Sequence, residues 1–379
     1  MDFKFTEEQE LFRRTASQFA KKEIAPMVED LEQREEFPVE ILKRMGELGF
    51  LGIPYPEKYG GADGDIVTLS IFLEEVGYVS AVVAGAAVVQ INGVAAPVYL
   101  FGTEEQKEKY LIPSIKGEKI GAIAMTEPEA GSDSSAIRTS ARKVDDGYII
   151  DGTKIFCTNA GVADLLFATV VTDPGKGIKG ISIFVVDTAT PGLTIGKNIK
   201  KLGLHGVGTY EVILEGCRLG KDTILGEENK GFYNLMKSVE RNRIGVAAVA
   251  VGLSRAAFDH ALSHAKERVQ FGKPIGSFQG VQFMLADMAV EIELATLMTY
   301  KTAWMDDQGI RCNKEASIAK LYASQMSNRV AYKALQIFGG YGYMTEYPLE
   351  RYFRDARVFE IFEGTSEIQK TIISKELGL

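Results

Sequence analysis

The chain has 379 residues, 46% of them hydrophobic and 25% charged. That length exceeds one ordinary hydrophobic core and the composition carries no fibrous or disordered bias, so two or three domains, or a merged fold with shared interfaces, are expected. Forty-three basic and fifty-one acidic residues leave a net charge of -8 without a long block of one sign. This speaks against nucleic-acid binding, because phosphate recognition needs a concentrated basic face.

The opening residues MDFKFTEEQELF hold no basic region followed by an apolar stretch, so no export signal is expected. Cys157, Cys217 and Cys312 are widely spaced and form no CxxC pair. Neither a disulfide framework nor a zinc site is indicated, and a reducing, cytoplasmic compartment is expected. The longest apolar run, residues 81–89, falls well short of the ~20 residues needed to cross a bilayer. It reads as a buried helix, without membrane insertion.

The first third of the chain reads as helix after helix. Thr6 and Gln9 form a capping box ahead of Leu11, Phe12, Ala16, Phe19 and Ala20 at helical spacing, and Pro26 is expected to end that helix. A second helix is expected from Pro38, with Ile41, Leu42, Met45 and Leu48 on one face and a stop at Gly49. Residues 104–110 have the same character. From about residue 121 to 227, β-branched runs take over at 148–150, 165–172, 181–186 and 210–214. Asp146-Gly147 and Asp151-Gly152 read as hairpin turns, and Asp173-Pro174-Gly175 as a connection. Long helical stretches return at about 231–264, 280–306, 314–337 and 366–377. The predicted fold class is α+β multidomain: an N-terminal all-helical domain (1–120), a middle antiparallel, barrel-like β domain (121–230) and a C-terminal four-helix bundle (231–379). The order α, β, α argues against a doubly wound nucleotide fold, which alternates the two.

No G-x-G-x-x-G follows a strand and no P-loop motif is present. His260 and His264 share a helix face at i, i+4, but no third ligand accompanies them, so they read as helix-surface residues and no metal is expected. Four segments carry chemistry instead. Residues 125–133, MTEPEAGSD, offer hydroxyls, glycines and backbone N–H groups that suit a polar ligand, or simply a capped turn. Phe156 and Thr158 lie two apart on one side of a strand, as a ring and a hydroxyl facing a ligand or as part of a core strand. Arg268, Phe271, Pro274 and Gln279, with Gln336, Gly339, Gly340 and Gly342 later, combine a charged fork with glycines that permit close backbone approach, or form a plain helix-to-helix connection. Finally, Glu363 lies between Ile361, Phe362 and Gly364, ahead of a helix beginning at Thr365. Apolar neighbours would raise its pKa towards that of a working base, whereas a loop glutamate is by default solvated.

The four segments, in this order and at these separations, together with ERVQFGKPI, QIFGGYGY, TEYPLERYFRDAR and IFEGTSEIQ, resemble the acyl-CoA dehydrogenase family across essentially the whole chain. The resemblance implies a noncovalent FAD. Its ring would contact Met125, Thr126, Gly131, Ser132, Phe156 and Thr158, with Thr365 and Glu367 closing the site. The adenosine end would reach Arg268, Phe271, Gln279, Gln336, Gly339 and Gly340 of a neighbouring subunit in a homotetramer, or at least a dimer. The acyl-CoA would meet Ser132, Glu240, Arg243 and the backbone at Gly364, with Gln90 near the floor of the acyl pocket. Glu363 would take the α-proton as the β-hydrogen leaves as hydride, and electrons would pass to an electron-transfer flavoprotein. Other family members carry the base just before the arginine equivalent to Arg243, where this chain has Asn242.

The chain also departs from the family pattern. Phe156 stands where most members have Trp, His205 and Val207 replace an Arg and a Ser, and Gln90-Ile-Asn-Gly93 is atypical. These departures leave a short linear, branched or alicyclic acyl group open. Two other readings are weighed beside the dehydrogenase: an oxygen-using acyl-CoA oxidase, which is usually a much longer chain, and a non-catalytic flavin or acyl-CoA binder, for which Glu363 would be unnecessary.

Overall fold

The computed structural model describes residues 4–36 and 39–379. The first helix, α1 (Glu7–Phe19), begins at the expected capping box, with the Gln9 N–H donating to Thr6 Oγ1 and the Thr6 N–H to Gln9 Oε1, both at 3.1 Å. Pro26 does not end the helical path. A π turn (Ala20–Ile24) and a 3-10 turn (Ala25–Met27) carry it into α2 (Val28–Arg34). Proline removes one N–H and crowds the preceding turn, and the altered turns absorb both effects. In α3 (Val39–Glu47), Ile41, Leu42 and Met45 are buried, and Gly49 follows at φ +78°. Leu48 instead faces solvent, and the expected start at Pro38 lies outside the described residues. Next come α4 (Ile66–Val79) and α5 (Ala81–Val88), then a π segment (Val89–Ala95) and α6 (Ala96–Phe101). The short α7 (Glu104–Gln106) and α8 (Ile112–Ile115) complete the N-terminal helices.

Seven strands follow: β1 (Gly121–Ala124), β2 (Ser140–Val144), β3 (Gly147–Thr158), β4 (Leu165–Val171), β5 (Ile181–Asp187), β6 (Leu193–Asn198) and β7 (Thr209–Gly220). They run β1-β4-β2-β3-β7-β6, with β5 also on β4. The β2–β3, β3–β7, β4–β5 and β6–β7 pairs are antiparallel, as expected. The expectation needs correction at β4, which runs parallel to β1 and, at Val171, to Ser140 of β2, so the sheet is mixed. Asp151-Gly152 is not a turn either. It lies inside β3 where the register with β7 shifts, and the Asp151 carboxylate accepts the Gly216 N–H at 2.7 Å. The Asp-Gly pair here makes a bulge, the other conformation its backbone permits.

The chain then forms α9 (Gly231–Glu267), the two-residue strands β8 (Val269–Gln270) and β9 (Lys273–Pro274), α10 (Gln279–Asp307), α11 (Asn313–Phe338), α12 (Leu349–Ala356) and α13 (Ser366–Glu376). The sequence reading missed the β8–β9 hairpin and α12. The hairpin turns on Phe271 and Gly272, both at positive φ, +53° and +79°, as a tight two-residue turn requires.

One continuous core joins the helices of both ends of the chain, with Phe72, Leu73 and Val76 of α4 and Val249 and Leu253 of α9 among its members. A separate core containing Ile150, Phe184, Val186 and Leu214 fills the sheet. Two helical stretches, Ala81–Phe101 and Gly231–Glu267, are long and apolar enough to cross a membrane, yet 94% and 78% of their most apolar windows are buried within the protein. They are core helices here. The α4–α9 approach depends on glycine: a Cβ at Gly252 would lie 2.2 Å from the Glu74 carbonyl oxygen and one at Gly77 2.9 Å from that of Val249. Alanine in a helix interior normally stabilises relative to glycine. Gly252→Ala should do the reverse, destabilising by about 1–3 kcal/mol through overpacking. Calorimetry that finds an unchanged or raised unfolding temperature would contradict this close approach.

Candidate active site

Glu363 lies in the turn between α12 and α13 at φ +53°, followed by Gly364 at φ +86°. A side chain at position 364 would have its Cβ 2.7 Å from Gln369 Nε2, so the turn requires glycine there. Three helices converge on it. From α9, the Asn242 amide donates to Glu363 Oε2 at 3.1 Å. From α11, Lys320 Nζ donates to the Gly364 carbonyl at 2.6 Å. From α13, the Gln369 amide donates to the carbonyls of Glu363 and Gly364 at 3.3 and 3.0 Å. Burial raises the Glu363 carboxyl above its ordinary range, outweighing the Asn242 amide and the cations of Lys320 and Arg243. Thr365 caps α13 through its hydroxyl, which accepts the Ile368 N–H.

Arg243 follows Asn242 on α9. Its Nη1 donates to Asn313 Oδ1 at 2.7 Å and to Ser317 at 3.4 Å, while its Nε is buried without a partner. Burial also raises the Glu240 carboxyl, and Arg243 opposes that shift. Asn242 Oδ1 and Gln369 Oε1 are buried without partners too. Unsatisfied polar atoms clustered around one carboxylate are the features of a site that binds a polar group.

A second part of the site lies in the β domain. Residues 125–133 are held against β3, where Ile155 N–H donates to the Thr126 carbonyl at 2.8 Å. Lys154, fully buried, donates to Glu127 Oε1 at 2.8 Å and to the Met125 carbonyl at 3.2 Å. Glu127 also receives the N–H groups of Arg138 and Thr139. A shift in β3 pairing between Lys154 and Cys157 leaves Phe156 at φ +58° and 60% exposed. A large aromatic ring held outward on a bulge fits a planar ligand, and a Cβ at Gly131 would meet nothing within 4 Å. Among the described residues no hydrogen bond joins this loop to Glu363.

A third part is a groove of about 480 Å³ lined by His264, Arg268, Gln270, Phe338, Gly339 and Gly340, among others. The Arg268 guanidinium sits over the Tyr341 ring at 5.2 Å, and His264 stacks on Phe338 at 4.0 Å. No group of three metal-ligating side chains occurs among the described residues. Phe271 stands 93% exposed at the hairpin tip, and Gln279 opens α10 on the surface. Gln336 is exposed in the last turn of α11, next to Ile337 and Phe338 of the groove lining.

One expected residue is committed elsewhere. The Gln90 amide donates to the carbonyls of Ser114 and Lys119 and accepts the Gly121 N–H, all within 3.0 Å, so it ties helices to β1 instead of facing a pocket. The π segment it belongs to does approach the site, since Asn92 reaches the Arg241 carbonyl at 3.4 Å. At the loop that departs from the family pattern, His205 Nδ1 lies 2.9 Å from Glu32, with Arg354 on the same carboxylate. Sequence reasoning missed Lys320 and Lys154. Lys320 lies on the buried face of α11 with Ala316, Ala319 and Ala323, a placement that only the packing reveals.

The pattern of the acyl-CoA dehydrogenase N-terminal domain matches residues 6–118, that of the middle domain 122–217 and that of the C-terminal domain 229–378. A short-chain specific acyl-CoA dehydrogenase of Clostridium acetobutylicum is 44% identical over 100% of both chains. The caffeyl-CoA reductase-Etf complex subunit CarC of Acetobacterium woodii is 45% identical over 98% of both. Among solved structures, butyryl-CoA dehydrogenase from Megasphaera elsdenii superposes with a TM-score of 0.97 at 41% identity over 100% of each chain. The FAD complex of PigA does so with a TM-score of 0.97 at 31% identity, again over 100% of each. Over its whole described length, in all three of its segments, the chain belongs to the acyl-CoA dehydrogenase family.

Proposed function

We propose that this oxidoreductase converts a short-chain, branched or alicyclic acyl-CoA to the 2-enoyl-CoA, with Glu363 as the base and an electron-transfer flavoprotein as the electron acceptor. The observation that carries the reading is the Glu363 carboxyl, raised by burial and aimed by the Asn242 amide. A base works best when its pKa lies near the working pH, and burial moves Glu363 in that direction. Asn242 cannot itself accept a proton, so the carboxylate at 363 has no competitor at position 242.

The cofactor is FAD, which when bound supplies the acceptor for the β-hydrogen and its electron pair. The proposed flavin-ring residues are Met125, Thr126, Gly131, Ser132, Phe156 and Thr158, with Thr365 and Glu367 beside them. As the α C–H bond breaks, its proton passes to Glu363. Negative charge then develops on the thioester carbonyl, and the backbone at Gly364, together with Glu240, Arg243 and Ser132, is assigned to hold the substrate. The relative that forms a reductase-Etf complex supports an electron-transfer flavoprotein as partner. It also supports a second reading, enoyl-CoA reduction, in which a protonated Glu363 returns the α-proton.

Assembly as a homotetramer rests on α10, where Phe283, Val290, Leu294, Leu297 and Trp304 are exposed. Their spacings of 7, 4, 3 and 7 put them on one helix face, and such a contiguous apolar stripe is the mark of an interface. The exposed Phe271 tip and the Arg268 groove then suit the adenosine end of a neighbour's cofactor, with Gln279, Gln336, Gly339 and Gly340. The segments 1–120, 121–230 and 231–379 are the proposed domains.

Anaerobic bleaching of the flavin with a panel of acyl-CoA and enoyl-CoA thioesters identifies the acyl group, and reoxidation in air separates a dehydrogenase from an oxidase. Glu363→Gln should keep its yellow cofactor and bind substrate, while flavin reduction slows at least about 10²–10⁴-fold. Stopped-flow reduction within a few-fold of the parent rate would show that another residue is the base. Arg268→Ala should lose flavin and weaken the oligomer, because a charge-assisted bond contributes about 1.5–3 kcal/mol. Full flavin content with an unchanged oligomer would remove Arg268 from the cofactor site.

A further inference from the structure

Lys320 has no part in the reading above, yet its placement is costly. It lies on the buried face of α11 between Ala316, Ala319 and Ala323, is 0% exposed, and gives its ammonium to the Gly364 carbonyl at 2.6 Å. Among the described residues it forms no ion pair. A buried ammonium without a carboxylate partner is strongly disfavoured unless nearby charges and dipoles compensate. Burial pushes Lys320 down to about 8. Glu363 opposes this most, with Glu360 and Glu367 in the same sense, while Arg243 adds to it. In return, the charged groups that hold Glu363 towards its ionised form are Lys320 from α11 and Arg243 from α9.

Building on the assignment of Glu363 as base, we propose that Lys320 is the positioning residue of that base. Its ammonium clamps the Gly364 carbonyl, fixing the left-handed turn that aims Glu363, and its charge keeps the carboxylate ionised where burial would neutralise it. The proton from the substrate's α carbon goes to Glu363, and Lys320 takes no part in that transfer. The position is suited to this, since the same face of α11 presents Asn313 and Ser317 to Arg243. Residues 313, 317 and 320 are spaced to share that face, so one helix edge supports both Arg243 and the base.

The test reads the Glu363 carboxyl directly, by infrared pH titration of the holoenzyme, with the band assigned by its loss in Glu363→Gln. Lys320→Gln removes the charge but keeps a donor for the Gly364 carbonyl, while Lys320→Met removes both. Both should raise the Glu363 midpoint by about 1–2 units, the effect of losing an adjacent opposite charge. The acid limb of flavin reduction should move upward with it. At pH well above the midpoint, Lys320→Met should remain slower than Lys320→Gln because its turn is no longer clamped. A midpoint unchanged in the two variants overturns the proposal. If Lys320→Met does not fold, the Gln variant decides alone. Failure of the base assignment would show differently, as fast flavin reduction in Glu363→Gln, with the parent's infrared midpoint left in place.

Discussion

The rest of the site depends on holding one half-buried carboxylate, that of Glu363, largely away from water. Removing a carboxylate from solvent costs several kcal/mol unless hydrogen bonds and charges return it, and Glu363 recovers that cost from three helices at once. An amide on α9 reaches its oxygen, an ammonium on α11 holds the following carbonyl, and an amide on α13 braces the main chain of the turn. Each contact exists only if those helices keep their mutual positions. The shared core of the two helical ends, including the glycine contact between α4 and α9, is therefore a requirement of the chemistry as well as of stability.

The two functional loops are built on the same principle. Each is tied down by a fully buried lysine that donates to a main-chain carbonyl beside the functional residues, Lys154 to Met125 and Lys320 to Gly364. They differ in their partners. Lys154 has the Glu127 carboxylate at 2.8 Å, whose own pKa is held low by that ammonium and by backbone donors against the effect of burial. Its charge is balanced locally, so the β-domain loop is a fixed scaffold. Lys320 has no such partner, and its charge acts instead on Glu363.

Much of this was legible in the sequence. Capping at Thr6 and Gln9, the helical spacing of α9 to α11 and the β-branched runs of β3 to β5 depend on near neighbours in the chain, and local chemistry decides them. The misses depended on tertiary context. Whether Asp151-Gly152 turns or bulges depends on its pairing with β7. Whether Pro26 ends a helix depends on the room for a π turn, and the direction of β1 depends on β4. The motifs around residues 125–133, 156 and 363 stood out in the sequence because each carries its unusual residues within a few positions of one another. A lysine buried on a small-residue helix face carries no local signature, and Gln90 gave no sign that its amide would be consumed by main-chain groups 24 to 31 residues away.

The 3.1 Å contact between Asn242 and Glu363 also bears on why only one of these positions carries a base. A carboxylate at 242 in the same rotamer would put two negative charges within hydrogen-bonding distance in a poorly solvated pocket. Such a pair cannot both ionise, and one member takes up a proton at neutral pH. A second carboxylate would thus compete with Glu363 for the ionised form. An amide of the same shape as aspartate donates a hydrogen bond to the carboxylate and cannot take its proton. The geometry therefore favours a base at one position or the other, and with Asn242 at one of them the proposed base is Glu363.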